Sequence, residues 1–238
     1  MDLKEQEILG DRIAEHWYYR SKLAALRRWT RHLQARELID VGAGSGFFSR
    51  ALLEATGLEA ATCVDPGYDA DTEVSVAGKP LRFRRQLDSS AAGLVLMMDV
   101  LEHVDDDVAL LRDYVGRVPS GARFVITVPA FQFLWSGHDL FLEHRRRYTL
   151  PQVEAVARSA GLTVEKGAYF FGAVFPLAAA TRLLGRLRSG GAMVARSQMR
   201  EQGPAANMVL QGACMAELPL FPLNRLFGLT AFVLAAKP

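Results

Sequence analysis

Three groups of residues in this 238-residue chain have the types and spacing to do chemistry. The first is Asp40-Val41-Gly42-Ala43-Gly44-Ser45-Gly46-Phe47, where the apolar pair Leu38-Ile39 leads into three glycines at alternate positions. Glycine lets the backbone turn sharply and lets a ligand lie against it, and a helix beginning at Gly46 offers free N–H groups. The spacing is G-x-G-x-G and not the G-x-G-x-x-G of dinucleotide sites. Asp40, two residues ahead, would repel a pyrophosphate and attract a cationic group. The plainer alternative is a tight strand-to-helix turn. The second group is a set of acids. Asp65 ends the next apolar run, where a carboxylate can accept hydrogen bonds from both hydroxyls of a ribose lying over the strand ends, or simply form the turn before Pro66-Gly67. Asp88 faces an adenine amino group or serves the turn Asp88-Ser89-Ser90. Met98-Asp99 closes the run Gly93–Met98 at the carboxyl edge of a sheet, and Glu102-His103 begin the next helix.

The third group is Leu134-Trp135-Ser136-Gly137-His138-Asp139, followed by His144-Arg145-Arg146-Arg147-Tyr148. A histidine near its free pKa, His138 or His144, can take a proton from a hydroxyl or amine, and Asp139 can hold it in the right tautomer. Arg146 and Arg147 suit a carboxylate or phosphate, with Trp135 and Tyr148 beside them as acceptor contacts. The alternative is structural, with His138 and Asp139 locking the loop and the arginines paired beneath it. A metal set of His138, Asp139 and His144 is the least favoured reading, and no metal is expected.

The elements that must position these groups follow from hydrophobic periodicity. Residues 3–35 read as a helical segment, with Leu23, Leu26, Thr30 and Leu33 on one stripe. Strands are expected over 37–41, 60–65, 81–85, 93–98, 122–128, 162–171 and 229–236, with helices over 46–56, 106–118 and 150–160. Such alternation makes a parallel sheet covered on both faces. Residues 172–225 break the rhythm and read as an inserted helical cap. The domain reading is therefore 1–35 as an N-terminal helical segment, 36–171 with 226–238 as the α/β domain, and 172–225 as the cap.

From about residue 36 to 165 the pattern Asp40-x-Gly42-x-Gly44-x-Gly46, Asp65 and Asp99-Val100-Leu101-Glu102-His103 resembles class I S-adenosylmethionine-dependent methyltransferases. The resemblance implies a Rossmann-like, seven-stranded, mostly parallel sheet whose last strand is antiparallel. It also implies S-adenosylmethionine as cofactor, held by Gly42, Gly44, Gly46, Asp65, Asp88 and the loop around Met98 and Asp99. Asp40 would attract its ammonium and sulfonium. Trp135-x-x-His138-Asp139 and His144-x-Arg146-Arg147-Tyr148 resemble a bacterial subgroup, as does Glu15-His16-Trp17-Tyr18-Tyr19-Arg20, where Tyr18 departs from the expected Trp or Phe. In that setting His16 and Arg20 close over the methionine end of the cofactor, or the segment is an aromatic helix packed on the sheet.

Composition bounds the rest. Half the residues are hydrophobic and the net charge is only +2, which does not call for nucleic acid. Cys63 and Cys214 give neither a disulfide framework nor metal spacing, in keeping with a reducing compartment. The first residues lack the apolar core of a signal peptide, and the apolar stretch 167–181 is short for a bilayer, so a cytoplasmic protein is expected. Segments 16–36 and 166–200 carry basic residues (Arg182, Arg186 and Arg188 among them) and no acids, and Met193, Met199, Met208 and Met215 lie in the cap. These suit a greasy acceptor and peripheral contact with the inner face of a membrane, or else solvated arginines over a core. The expected reaction is O-methylation, less readily N-methylation, of a small or lipid-linked acceptor. The rivals are a nicotinamide-dependent oxidoreductase and a non-catalytic, membrane-associated module that binds the cofactor.

Overall fold

The computed structural model describes residues 10–188, 194–195 and 203–238. Its frame is eight strands: β1 Glu37–Val41, β2 Ala60–Val64, β3 Thr72–Val76, β4 Lys79–Arg84, β5 Leu94–Met98, β6 Arg123–Pro129, β7 Thr163–Phe170 and β8 Thr230–Ala236. They lie in the order β3-β4-β2-β1-β5-β6-β8-β7. Strands β4, β2, β1, β5 and β6 run parallel, and β8 pairs antiparallel with both β6 and β7.

The central strands read as unbroken apolar runs because both of their faces are covered. Leu38, Leu94, Leu96 and Met98 enter one core with Phe48, Leu52 and Trp29, while Ile39, Val41, Val95 and Met97 enter the other with Leu111 and Val153. Helices α1 (Trp17–Thr30) and α2 (Phe47–Ala55) supply the first layer, and α3 (Asp107–Arg117), the short α4 (Gly137–Phe141) and α5 (Leu150–Ser159) follow along the chain. Chain order reverses across β1, since β2 lies on one side of it and β5 on the other, and open α/β sheets bind ligands at the carboxyl ends there.

Two elements differ from the sequence expectation. An eighth strand is present: β3 and β4 form an antiparallel hairpin turned by Ala77 and Gly78, both at positive φ (51° and 77°). The expected helix from 3 to 35 is shorter where it is described. Gly10–Glu15 is a 3-10 turn, and His16 in extended conformation starts α1 afresh at Trp17; residues 3–9 lie outside the described residues.

Residues 172–225 carry α6 (Phe175–Arg188) and α7 (Pro204–Glu217). The Glu217 carboxylate accepts from the backbone N–H groups of Phe171 (2.6 Å), Gly172 (3.2 Å) and Ala173, satisfying orphan donors ahead of α6. Asn207 joins α7 to the start of α1, accepting from Trp17 N at 2.8 Å and donating to Glu15 O at 3.0 Å. Met193 and Met199, and the side chains of Arg186 and Arg188, lie outside the described residues. Among the described residues no helix is long and apolar enough to cross a membrane.

Candidate active site

The glycine loop leaves β1 with Gly42, Gly44 and Gly46 at φ of 63°, 52° and 69°, a region that favours glycine. Gly42 has a second constraint: a Cβ there would meet Val100 Cγ2 at 2.8 Å. The Asp65 carboxylate closes the loop from the end of β2, accepting from Gly44 N at 3.2 Å and Gly67 N at 2.9 Å. Tyr68 OH donates to Gly44 O at 2.7 Å. A bare backbone cradle at the start of α2, with a half-buried carboxylate one turn away, fits a nucleoside with its ribose over the strand ends.

Asp40 sits otherwise than expected. It lies beneath the loop, 1% exposed, accepting from Ser49 Oγ at 2.7 Å. Burial pushes its carboxyl up to about 6, with Ser49 opposing.

At the end of β5 the chain turns through Asp99, at φ 57°, a strained value that Asp tolerates better than most residues. Thr127 on β6 holds it: Oγ1 donates to Asp99 Oδ1 at 2.9 Å, and Thr127 O accepts from Asp99 N at 3.0 Å. The fully buried Lys22 of α1 forms an ion pair with Asp99 Oδ2, and its ammonium also donates to Tyr18 OH at 3.2 Å. Burial opposes both charges, but the pairing wins, holding Asp99 below the usual carboxylate range and Lys22 above the usual lysine range. Glu102 follows in the turn Leu101–His103, fully buried, with no hydrogen-bond partner among the described residues for either carboxylate oxygen. Burial, then the Asp99 charge, raises its pKa well above the usual range.

The loop after β6 is organised by Asp139. Its carboxylate accepts from Ser136 N (2.8 Å), from Arg147 Nε (2.7 Å) and Nη2 (3.1 Å), and pairs with His144 Nδ1 at 3.0 Å. Despite the cost of burial, His144 and Arg147 hold the Asp139 carboxyl far below its ordinary pKa. The three consecutive arginines all have partners. Arg145 binds His103 O and Asp105, Arg146 binds Val104 O and Asp105 O, and Arg147 also donates to Ala130 O at 3.0 Å. Tyr148 OH donates to Asp107 Oδ2 at 2.7 Å.

These pieces surround a cavity of about 400 Å³. Asp99, Glu102, His103, His138, His144 and Arg147 supply its polar surface, Trp17, Tyr18, Tyr19 and Lys22 one wall, and Val174, Leu177, Arg182 and Leu210 another. Of the residues singled out from sequence, Asp99, His138, His144 and Arg147 meet there. Asp139 stands behind His144, Met98 is buried in the core, and Gly42, Gly44, Gly46 and Asp65 form the neighbouring loop. Trp135, Arg146 and Tyr148 do not line the cavity; the last two brace the segment after β5. His16 caps α1, its Nδ1 accepting from Tyr18 N at 3.4 Å, while Arg20 and Asp88 are exposed and outside the lining. Sequence reasoning missed Lys22 and passed over Glu102 and His103 as helix starters. The signal for Lys22 was a cation on the same helical face as Tyr19, Leu26 and Trp29, where an apolar residue belongs.

A mostly parallel sheet ending in an antiparallel strand, with a glycine loop after β1 and an acid after β2, defines the class I methyltransferase fold. The profile of the methyltransferase-domain family matches residues 14–166, and the chain belongs to that family. No curated protein matches it. Among solved structures it is similar to a SAM-dependent methyltransferase from Archaeoglobus fulgidus, at 19% identity and TM-score 0.53 over 99% of this chain and 98% of that one. It is also similar to a chain of the Haloferax volcanii complex between the Trm112 methyltransferase activator and a methyltransferase (16%, TM-score 0.55, covering 95% and 92%). A third is phosphoethanolamine N-methyltransferase 2 of Haemonchus contortus in complex with S-adenosyl-L-methionine, at 15% identity and TM-score 0.55, covering 92% of this chain and 53% of that one. The chain thus carries a methyltransferase domain and shares its fold with an S-adenosylmethionine-dependent methyltransferase.

Proposed function

We propose that the enzyme methylates a hydroxyl oxygen on an acceptor with an apolar body, small or lipid-linked, bound in the cavity between α1, α6 and the loop after β6. The observation that carries this reading is the placement of His138 and His144, two of the three histidines in the lining, with His144 held by the buried Asp139 at 3.0 Å, in a cavity whose walls are otherwise mainly apolar and aromatic. Bound S-adenosylmethionine supplies a methyl group already activated on a sulfonium. Gly42, Gly44, Gly46 and Asp65 would hold its nucleoside, and Asp99 lies toward its methionine end. What the chain must add is placement of the acceptor and removal of its proton. His138 or His144 takes the proton, and Asp139 keeps His144 in one tautomer with Nε2 left for exchange. Arg182, in the lining, sets a positive edge for an acidic group on the acceptor. Residues 172–225 then act as the acceptor cap. Leu177 supports the lipid-linked end of the range, since it lines the cavity while 63% exposed, and Leu183 and Leu184 of α6 are exposed with it.

The test is transfer of labelled methyl into lipid extracts and hydroxylated or carboxylated metabolites, followed by replacement of both histidines with alanine. Turnover at neutral pH should fall about 10²–10⁴-fold with cofactor affinity kept, and partly recover at alkaline pH as the hydroxyl ionises unaided. Undiminished turnover in the double variant removes the base assignment, and a methylated amine as product replaces O- with N-transfer.

A further inference from the structure

We propose that Glu102, His103 and His144 form a binding site for a divalent ion of the zinc and cobalt(II) class on the floor of the cavity. One ligand atom from each residue lies within 4.8 Å of the others. The ring centroids of His103 and His144 are 4.8 Å apart, edge to face. Ligation at ordinary zinc distances draws such atoms to about 3–3.5 Å of one another, a closure of up to about 1.5 Å that rotation of the Glu102 and His103 side chains would supply.

Two further observations point to a cation. Glu102 is fully buried, lines the cavity, and has neither oxygen satisfied, a costly arrangement that a metal ion relieves. Two cations of the lining, Lys22 and Arg147, are bonded to Asp99 with Tyr18 and to Asp139 instead. His144 already has the companion that metal-ligating histidines carry: Asp139 Oδ1 on Nδ1 at 3.0 Å fixes the ring and directs Nε2 away as the ligand atom. Two imidazoles and one carboxylate suit a first-row transition ion better than magnesium, and because all three residues line the cavity, the remaining coordination positions face the acceptor.

The site stands on geometry alone; its role in catalysis rests on the methyl-transfer reading. There the ion would bind the acceptor oxygen and lower its pKa as a Lewis acid, His144 would serve as ligand, and His138 would be left to take the proton.

The experiment is titration of untagged, chelator-stripped protein with zinc by calorimetry and with cobalt(II) by visible absorption. Glu102→Gln, His103→Ala and, as control, the exposed His32→Ala are run alongside, and every sample is also titrated with S-adenosylhomocysteine. About one equivalent should bind with micromolar or tighter affinity to the wild type and to His32→Ala, and at least about 10-fold more weakly to the other two. Absence of binding up to about 1 mM, or equal binding by all variants, overturns the site and leaves Glu102 as a protonated, neutral carboxyl. The S-adenosylhomocysteine titration keeps the two readings apart. Metal bound without it leaves the ion site standing and methyl transfer in doubt, and the reverse removes the ion site only.

Discussion

The glycine loop and the cavity beside it form two edges of the site that are built from different material. On the glycine edge, short-range backbone does the positioning: three positive-φ residues within five positions, a Cβ-free approach to Val100, and one carboxylate bonded to the Gly44 N–H. On the cap edge, charged side chains do the positioning, some of them across long stretches of sequence. Lys22 reaches Asp99, Arg146 reaches the carbonyls of Val104 and Asp105, and Asp139 gathers Ser136, His144 and Arg147. The difference teaches where each edge is fragile. The first should fail when a Cβ is added or the Asp65 carboxylate is removed, the second when one member of a buried pair is lost.

The largest effect should come from breaking the cap edge at Arg147. Arg147→Ala leaves the Asp139 carboxylate buried with only His144 as ionic partner, and should cost about 3–5 kcal/mol in denaturant unfolding. Arg147→Met combined with Asp139→Leu removes both charges and should regain most of that loss while turnover stays low. A single-variant cost under about 1 kcal/mol would mean the pair is not what organises the loop.

A smaller effect, and one that sharpens the contrast, belongs to Asp40 beneath the glycine loop. Its carboxyl titrates near 6 when folded against an ordinary value near 4, so the folded state holds its proton more tightly. The stability this contributes is complete below pH 4 and is lost as pH rises through 6, about 3 kcal/mol in all. Asp40→Asn keeps an acceptor for Ser49 and removes the titration. Its melting temperature should therefore gain on the wild type between pH 4 and pH 7.5, and a difference constant with pH would show that Asp40 is not the buried acid described.

The same contrast explains what could be read from sequence. Leu94–Met98 and Arg123–Pro129 were legible because strands buried on both faces write themselves as apolar runs, and Gly42, Gly44 and Gly46 because positive φ writes itself as glycine. The hairpin strand Thr72–Val76 escaped because it is an exposed edge with only Val76 buried. The histidines and Asp139 were found by type, but not which histidine Asp139 holds. Arg146 and Tyr148 were read as acceptor contacts when their partners lie some forty residues back, in the segment after β5, and no local pattern records a pairing of that range. Lys22 was invisible for the same reason. A lysine in a helix reads as surface until its partner, 77 residues on, is known.

In the proposed reading, the glycine edge and Asp65 hold the nucleoside of the cofactor. The direct measurement is calorimetric titration of the wild type and Asp65→Ala with S-adenosylhomocysteine. Micromolar binding by the wild type, weakened about 10–100-fold by loss of hydrogen bonds to a charged group, is the predicted result. Equal affinity in the two proteins would contradict it and would place the nucleoside elsewhere than over the end of β2.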